Sequence, residues 1–224
     1  SMCNATTFME APHASSAQNQ WGAFENSRAG YIVANKYCVD MMKVTNDPRL
    51  DYYFAKDASG EYIGADIQES VINVSASRMN LSSTGFFNVS RNYPLMGEYE
   101  AYFLLAEAQS RLGQDASEAL NTAIKSSVSY VTNGAFDGSG QANYSNPSMT
   151  EILTQKWIAH CCHLEAYNDY RRTGVPALVS RAEAAGAVRG YTPMRLPTPQ
   201  DERVANPENA LPYELNIPVW WAQK

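Results

Sequence analysis

A pair of helical segments joined by a glycine constrains the fold of this chain most. Residues 97–113 read GEYEAYFLLAEAQSRLG, repeat their apolar residues at helical spacing and end at Gly113, which suits the position just after a helix. Asp115 can cap a second, alanine-rich segment that extends to Val128. Because small alanines let two helices approach closely, the sequence predicts an αα-hairpin of tetratricopeptide type. No second copy appears at a period of about 34 residues, so a repeat array is not expected.

A further segment, from Thr150 to Thr173, predicts one long helix. Ser148 and Glu151 match a capping box ahead of it, and Gly174 supplies a stop. Its apolar residues cover more than half of the helix circumference, so we expect this helix to be the largely buried spine of the core. Trp157 lies on it as a core residue, and Trp157→Ala is expected to cost roughly 3–5 kcal/mol.

The N-terminal part of the chain alternates between loops and one more helix. Residues 1–26 show no sustained period and predict a loop-like segment. Helical spacing from residue 27 predicts a helix that stops at Asn46-Asp47-Pro48. Residues 49–96 contain no run strong enough to predict a regular strand, apart from a short hairpin near Gly60. Such long irregular segments often contain binding groups.

The C-terminal part is rich in proline. A short helix is predicted at residues 180–186, and five prolines after Tyr191 predict extended chain that wraps the helices. The fold expected over residues 1–224 is therefore a single all-α domain with tetratricopeptide-like helical hairpins, long irregular loops and a Pro-rich extended C-terminal tail. Within it, residues 1–26 are the loop-like segment and residues 27–224 the helical core with its loops.

Charge and composition exclude several classes of partner. The net charge is −6 and no basic stripe is present, which argues against nucleic acid and anionic membranes. No apolar run approaches the roughly 18 residues of a membrane span. No lipobox precedes Cys3, so a lipid anchor is not visible in this chain. The 14 tyrosines and 4 tryptophans, with abundant Asn, Ser and Gln, suit neutral ligands that pack on rings and hydrogen-bond to amides.

The cluster His160-Cys161-Cys162-His163 is the main candidate for metal or nucleophile chemistry. It lacks further ligands at zinc spacing, and adjacent helical residues point in different directions, so core packing is favoured over a zinc site or a thiol nucleophile. The loop carboxylates have no strand scaffold to hold a glycosidase pair. We therefore expect no catalytic residues, no metal and no cofactor, and free thiols at all four cysteines.

Two other groups of residues are candidates for a specific role, one in ligand binding and one in ion pairing. Trp21 follows Asn19 and Gln20 in the loop-like segment, and a ring beside two amides resembles sugar-binding chemistry. Trp21, Asn19 and Gln20 are thus the predicted ligand-binding residues. At the end of the long helix, we expect Arg171 and Arg172 to form an ion-pair network that closes this helix onto the tail. The terminal tryptophans are expected to anchor the tail.

The combined motifs resemble those of the SusD/RagB family, in the branch with a QKW and EAYNDYRRTG helix. The motifs, in order, are Asn46-Asp47-Pro48-Arg49-Leu50, Tyr93-Pro94 leading into AYFLLAEAQSRLG, EILTQKWIA with EAYNDYRRTG, Arg195-Leu196-Pro197, Glu202 and Asn206. The resemblance covers the chain from about Ser27 onward and marks it as the C-terminal portion of such a protein, because family members have a further helical half before this segment.

The resemblance implies a function as well as a fold. It implies a non-enzymatic outer-membrane lipoprotein at the cell surface that binds an oligosaccharide, a polysaccharide or a similar nutrient for a SusC-like TonB-dependent transporter. The motifs are structural, so they assign no ligand residue. The alternative class is a helical-repeat scaffold for protein–protein interaction, and an enzyme is the third. Aromatic residues in the loops favour the binding protein.

Overall fold

The computed structural model describes residues 9–67, 69, 73, 75–178, 192–210 and 215–222. Their architecture is mostly helical, with one small two-stranded sheet and a final 3-10 turn at Trp220–Ala222. The elements in chain order are β1 (Met9–Ala11), α1 (Gln20–Ser27), α2 (Lys36–Val44), α3 (Arg49–Tyr53), β2 (Tyr93–Met96), α4 (Glu98–Arg111), α5 (Ser117–Val131), α6 (Met149–Ala159), α7 (Leu164–Thr173) and α8 (Gln200–Ala205). None of the described helices has the length and apolar character that crossing a membrane requires.

Helices α4 and α5 form the predicted αα-hairpin. Helix α4 ends at Arg111, and Gly113 adopts a left-handed φ of 69°, so the glycine lies where the sequence predicted a stop. The Asp115 carboxylate accepts a hydrogen bond from the Ser117 amide at 2.9 Å as α5 begins. The buried residues between the helices include Tyr99, Phe103, Ala106, Ala119, Leu120, Ala123, Ile124 and Val128, together with Ile152 of α6. Tyr102 is only partly buried, and Leu112, which the helical spacing placed on the same apolar stripe, is 73% exposed.

A second apolar cluster joins α2 and α3 to the loops. Val39, Met42 and Tyr53 are completely buried in it, and Phe87 enters from the long irregular segment. The rings of Tyr53 and Phe86 meet edge to face, with centroids 5.2 Å apart. The irregular segment therefore contributes core residues and is held against the helices by them.

An ion pair lies between the two clusters. The side chain of Arg49 is completely buried, and its Nη2 lies 2.6 Å from Oδ2 of Asp47. Arg49 also donates to Ser127 of α5 at 2.9 Å and to Gln155 of α6 at 3.3 Å. The NDPR motif therefore joins α3 to both helices, a role that the sequence did not predict.

The predicted helix over residues 150–173 is wrong as one continuous helix. The capping box of Ser148 and the stop at Gly174, with φ of 75°, are confirmed, but α6 ends at Ala159 and α7 begins at Leu164. Cys162 between them has a left-handed φ of 60°. The side chain of His163 accepts from the backbone amide of Glu165 at 3.2 Å, so it caps a new helix and replaces the continuing backbone ladder.

The predicted loop over residues 1–26 is also partly wrong. Helix α1 occupies Gln20–Ser27, and β1 pairs antiparallel with β2, so that Met9 faces Met96. The helix predicted from residue 27 begins only at Lys36, because the side chain of Asn35 caps it there. The turn around residues 57–61 has no flanking strands in the described chain.

The C-terminal tail is not extended throughout. Residues Gln200–Ala205 form α8, which buries none of its residues. The helix predicted at 180–186 lies outside the described residues. Trp220 is 83% exposed and Trp221 39% exposed. The guanidinium of Arg171 lies 4.8 Å from the ring centroid of Trp221. Of the two tryptophans, Trp221 therefore anchors the tail against α7.

Candidate functional site

A cleft of about 370 Å³ opens beside the N-terminus of α2. Helix α2 and its cap supply one wall, the loop around residue 66 supplies another, and Trp157 of α6 reaches it from the core. The described lining residues are Asn35, Lys36, Tyr37, Ala65, Asp66, Ile67, Trp157, Leu178 and Thr192. This combination of rings, an amide and one ion pair makes it our candidate ligand site.

Backbone hydrogen bonds hold the loop wall against α2. The amide of Lys36 donates to the carbonyl of Ala65 at 3.0 Å, and the amide of Ala65 donates to the carbonyl of Ala34 at 2.7 Å. Gly64 makes this approach possible, since a Cβ there would lie 2.2 Å from the Cα of Lys36. The wall is therefore fixed by main-chain contacts that any larger residue at position 64 would disrupt.

Two aromatic side chains contribute to the apolar part of the cleft, together with Ala65, Ile67 and Leu178. The rings of Tyr37 and Trp157 meet edge to face, with centroids 6.0 Å apart and an interplanar angle of 75°. Both residues are half-buried. Edge-to-face packing fixes the orientation of each ring. The pair thus offers a rigid aromatic surface for C–H groups of a ligand.

Polar groups beside the rings are close to neutral overall. The side-chain oxygen of Asn35 accepts from the backbone amide of Tyr37 at 2.8 Å, which orients the remaining amide group. Lys36 Nζ lies 3.3 Å from Asp66 Oδ2, and these side chains are 52% and 26% exposed. An exposed pair of this kind adds little stability but supplies both signs of charge at the opening. The site therefore suits hydrogen bonding to an uncharged ligand.

A smaller apolar chamber, of about 200 Å³, shares Asn35 and Trp157 with this cleft. Three cysteines, Cys38, Cys161 and Cys162, line the chamber as free thiols. Hydrogen bonds with Cys162 and Cys38, followed by burial, raise the pKa of Cys161 well above its usual value. The Cys161 thiol is thus held protonated, and a thiolate nucleophile is disfavoured.

The histidines of the same cluster have structural contacts. His160 is buried, its Nδ1 lies 2.9 Å from the carbonyl oxygen of Lys156, and its Nε2 lies 3.8 Å from Glu100. The ring of His163 stacks on Tyr93 at 5.8 Å. Among the residues that the structure describes, no three His, Cys, Asp or Glu side chains come together as a metal site.

The predicted residues Asn19, Gln20 and Trp21 do not form an open platform. Asn19 is 1% exposed, and its side chain accepts from the amide of Trp21 at 3.0 Å and donates to the carbonyl of Arg91 at 3.2 Å. The ring of Trp21 is half-buried and packs against the core. Gln20 alone is exposed. A ligand role for Trp21 stays a prediction, whereas the amide of Asn19 serves as a buried helix cap.

The predicted ion-pair network at the end of α7 is present, and it connects mainly to α4. Arg172 lies 2.5 Å from Glu107 and 2.7 Å from Asp169, and Arg111 also pairs with Glu107. Burial alone would raise the pKa of Glu107, but the hydrogen bonds and charges of the two arginines outweigh it and lower the pKa to about 2. Lys156 of α6 completes the network, 2.7 Å from Asp169.

None of the residues that line the cleft was predicted from the sequence to bind a ligand. Trp157 was interpreted only as a core residue, and Tyr37 lies in a segment for which only a helix was predicted. Asn35 directly before α2 is a recognisable N-cap signal, so the start of the helix could have been placed from it. Nothing in the sequence shows that the loop containing Gly64 lies against this helix, because that contact spans about 30 residues of chain.

The fold and this cleft define a helical-hairpin protein with an aromatic-lined site. The chain belongs to a SusD-like family described as starch-binding and associating with the outer membrane, whose profile matches residues 4–199. This confirms the resemblance noted from the motifs. A search of curated proteins finds no significant match.

Solved structures show the same fold. A SusD homologue from Bacteroides fragilis has a TM-score of 0.74 at 22% identity, over 99% of this chain and 59% of that chain. A SusD/RagB family protein from Bacteroides thetaiotaomicron has a TM-score of 0.74 at 21% identity, over 99% and 56% of the two chains. A chitin-binding SusD homologue from Flavobacterium johnsoniae has a TM-score of 0.72 at 23% identity, over 94% and 53%. The chain thus spans little more than half the length of these relatives.

Proposed function

We propose that this chain binds a neutral glycan at the bacterial outer-membrane surface, without altering it, for delivery to a SusC-like TonB-dependent transporter. The aromatic pair of Tyr37 and Trp157 beside the amide of Asn35 carries this proposal. The family description and the chitin-binding relative support it, since both connect this fold to polysaccharides. Attachment through a lipid anchor and contact with the transporter are part of the same proposal.

The chemistry of the cleft matches a sugar ring. A pyranose presents apolar C–H patches on its faces and hydroxyl groups around its edge. The rings of Tyr37 and Trp157 can contact the faces, while Asn35 and the Lys36–Asp66 pair can exchange hydrogen bonds with the hydroxyls. Because the paired charges are opposite, a neutral ligand is favoured over an ionic one.

The same residues favour binding over hydrolysis. Asp66 is the only acidic residue among the described lining residues, and it pairs with Lys36. Glycoside hydrolysis typically needs two carboxyl groups about 5 or 9 Å apart across the scissile bond. A ligand in this cleft would therefore be held and not cleaved. For an open site of this kind we expect micromolar-to-millimolar affinity, which corresponds to about 4–8 kcal/mol.

Calorimetric titration with maltohexaose and chitohexaose tests the proposal. Tyr37→Ala removes one ring of the pair and should weaken binding at least tenfold. Tyr31→Ala is the matched control, because Tyr31 is 72% exposed and does not line the cleft. Trp157→Phe keeps most of the packing volume and should weaken binding by a smaller factor.

The outcomes separate the candidate functions. Equal binding by Tyr37→Ala and the parent would remove the cleft from the proposal. If the chain and a longer form containing the remainder of the protein bind neither oligosaccharide nor other neutral glycans, glycan capture is refuted and the interaction scaffold is the better account. Release of shorter products during the titration would instead indicate an enzyme.

A further inference from the structure

The apolar chamber of about 200 Å³ meets the cleft beside α2 at two residues. Asn35 and Trp157 line both spaces, and no other described residue does. Both residues are half-buried, so the boundary between the two spaces is not sealed from solvent. A ligand that rests against Trp157 in the cleft therefore has the chamber directly beside it.

The lining of the chamber disfavours charged groups. Among the described residues it contains no Asp, Glu, Lys or Arg side chain. Besides the three cysteines, which behave as small apolar groups, the wall includes Val33, Phe54, Met79 and Ala166. Moving a sulfate, a carboxylate or an ammonium group into such a space is costly, because no opposite charge compensates it. The chamber thus suits a substituent that is uncharged and largely apolar.

Two polar side chains border the chamber, and one of them offers a donor at the boundary. His160 Nδ1 lies 2.9 Å from the carbonyl oxygen of Lys156, and its Nε2 lies 3.8 Å from Glu100. Asn35 accepts from the amide of Tyr37 through Oδ1, so its other side-chain group is the Nδ2 donor. Nδ2 forms no hydrogen bond with the described residues. The boundary therefore presents an N–H donor next to an apolar space.

An acetyl group has the matching chemistry, since it combines a carbonyl acceptor with an apolar methyl group. The chamber is several times larger than the about 30 Å³ that one water molecule occupies, so a methyl group enters with room to spare. A sugar hydroxyl in the same position would give up hydrogen bonds to water without replacing them. An acetamido sugar is thus a better ligand for the joined cleft and chamber than an unsubstituted hexose.

We infer that the cleft and the chamber together select oligomers of N-acetylated amino sugars, with the acetyl methyl group in the chamber and the acetyl carbonyl oxygen accepting from Asn35 Nδ2. The inference rests on the proposed function, because it places the sugar ring against Tyr37 and Trp157, and it names the substrate class of that site. One buried methyl group and one neutral hydrogen bond together correspond to roughly tenfold or more in affinity.

Calorimetry of the parent chain with chitohexaose and cellohexaose tests this selection without any variant. The two oligomers share the same linkage and differ at the second carbon of each ring, which carries an acetamido group in chitohexaose and a hydroxyl group in cellohexaose. We expect chitohexaose to bind at least tenfold more tightly. The N-propionyl analogue of chitohexaose adds one methylene group and should bind at least as tightly, because the chamber has room for it.

Ala166→Leu narrows the chamber and leaves the lining of the cleft unchanged, because Ala166 lines only the chamber. Ala101→Leu is the matched control at another half-buried helical alanine that lines neither space. We expect Ala166→Leu to lose most of the preference for chitohexaose while its affinity for cellohexaose stays at the parental value. Ala101→Leu should keep the preference, and thermal unfolding checks that both variants are folded.

The results separate this inference from the proposed function. Equal affinity of the parent for chitohexaose and cellohexaose refutes the selection for acetyl groups and leaves the binding of neutral glycans in place. A preference that persists in folded Ala166→Leu, or clearly weaker binding of the N-propionyl analogue, places the acetyl group outside the chamber and overturns the inference as well. If the parent binds neither of these oligomers nor maltohexaose, the proposed function fails and the inference fails with it.

Discussion

Removing one partner of the buried ion pair between Asp47 and Arg49 should destabilise the chain strongly. Arg49 is completely buried and donates to Asp47 through both Nε and Nη2, at 3.0 and 2.6 Å to the nearer oxygens. Its Nη1 and Nη2 also reach Ser127 and Gln155. In Asp47→Ala these two neutral groups remain, but the guanidinium loses its counter-charge while it stays out of water.

The expected magnitude follows from this geometry. Removal of one partner from a buried ion pair typically costs about 3–5 kcal/mol, because the remaining charge keeps its desolvation penalty. For a chain of this size each kcal/mol lowers the melting temperature by about 2–4 °C. Asp47→Ala should therefore lower the melting temperature by roughly 6–20 °C.

Urea unfolding followed by far-UV circular dichroism measures the loss, with calorimetric melting as a second readout. The double variant Asp47→Leu with Arg49→Met removes both charges and should regain most of the loss. Asp40→Ala, at an exposed position on α2, serves as the control. A loss below about 1 kcal/mol in Asp47→Ala, with an unchanged m-value, would show that the buried Arg49 does not depend on this counter-charge.

Three further predictions concern stability and the thiols. The pKa of Glu107 is about 2 in the folded chain, against an ordinary value of 4.5, so the unfolded chain binds a proton on Glu107 at higher pH than the folded chain does. The free energy of unfolding, measured in urea, should therefore decrease as the pH falls from 4.5 towards 2. Arg172→Gln should reduce that slope. Gly64→Val should destabilise the loop wall and weaken oligosaccharide binding, as measured by melting and calorimetry, since a Cβ meets Lys36 backbone. Thiol titration of denatured protein should find four free cysteines; a lower count would indicate a bridge.

Local signals predicted the helical part of the fold well. Gly113, the alanines of α5 and the capping box at Ser148 are short-range features, and each appears in the structure as expected. The break between α6 and α7 was missed, because His163 acts as a cap only where the chain turns, and histidine is an uncommon N-cap. The apolar spacing continues across the break, so periodicity alone gave one helix.

The candidate sites could not be predicted in the same way. The cleft depends on the loop at Gly64 meeting α2, and the residues that make this contact lie about 30 positions apart in the chain. Such contacts follow from tertiary packing. Of the residues chosen from the sequence, Asn19 caps α1 and the ring of Trp21 packs partly against the core, while Gln20 is exposed. The ligand role of these residues stays a prediction.

An NMR titration that follows the four tryptophan indole signals while maltohexaose or chitohexaose is added tests directly whether the cleft beside α2 binds glycan. Trp157→Phe identifies the signal of Trp157 by its loss from the spectrum. We predict that this signal shifts most and saturates with the calorimetric affinity. If it stays in place while the signal of Trp21, Trp220 or Trp221 moves instead, the ligand binds elsewhere and the cleft beside α2 is not the glycan site.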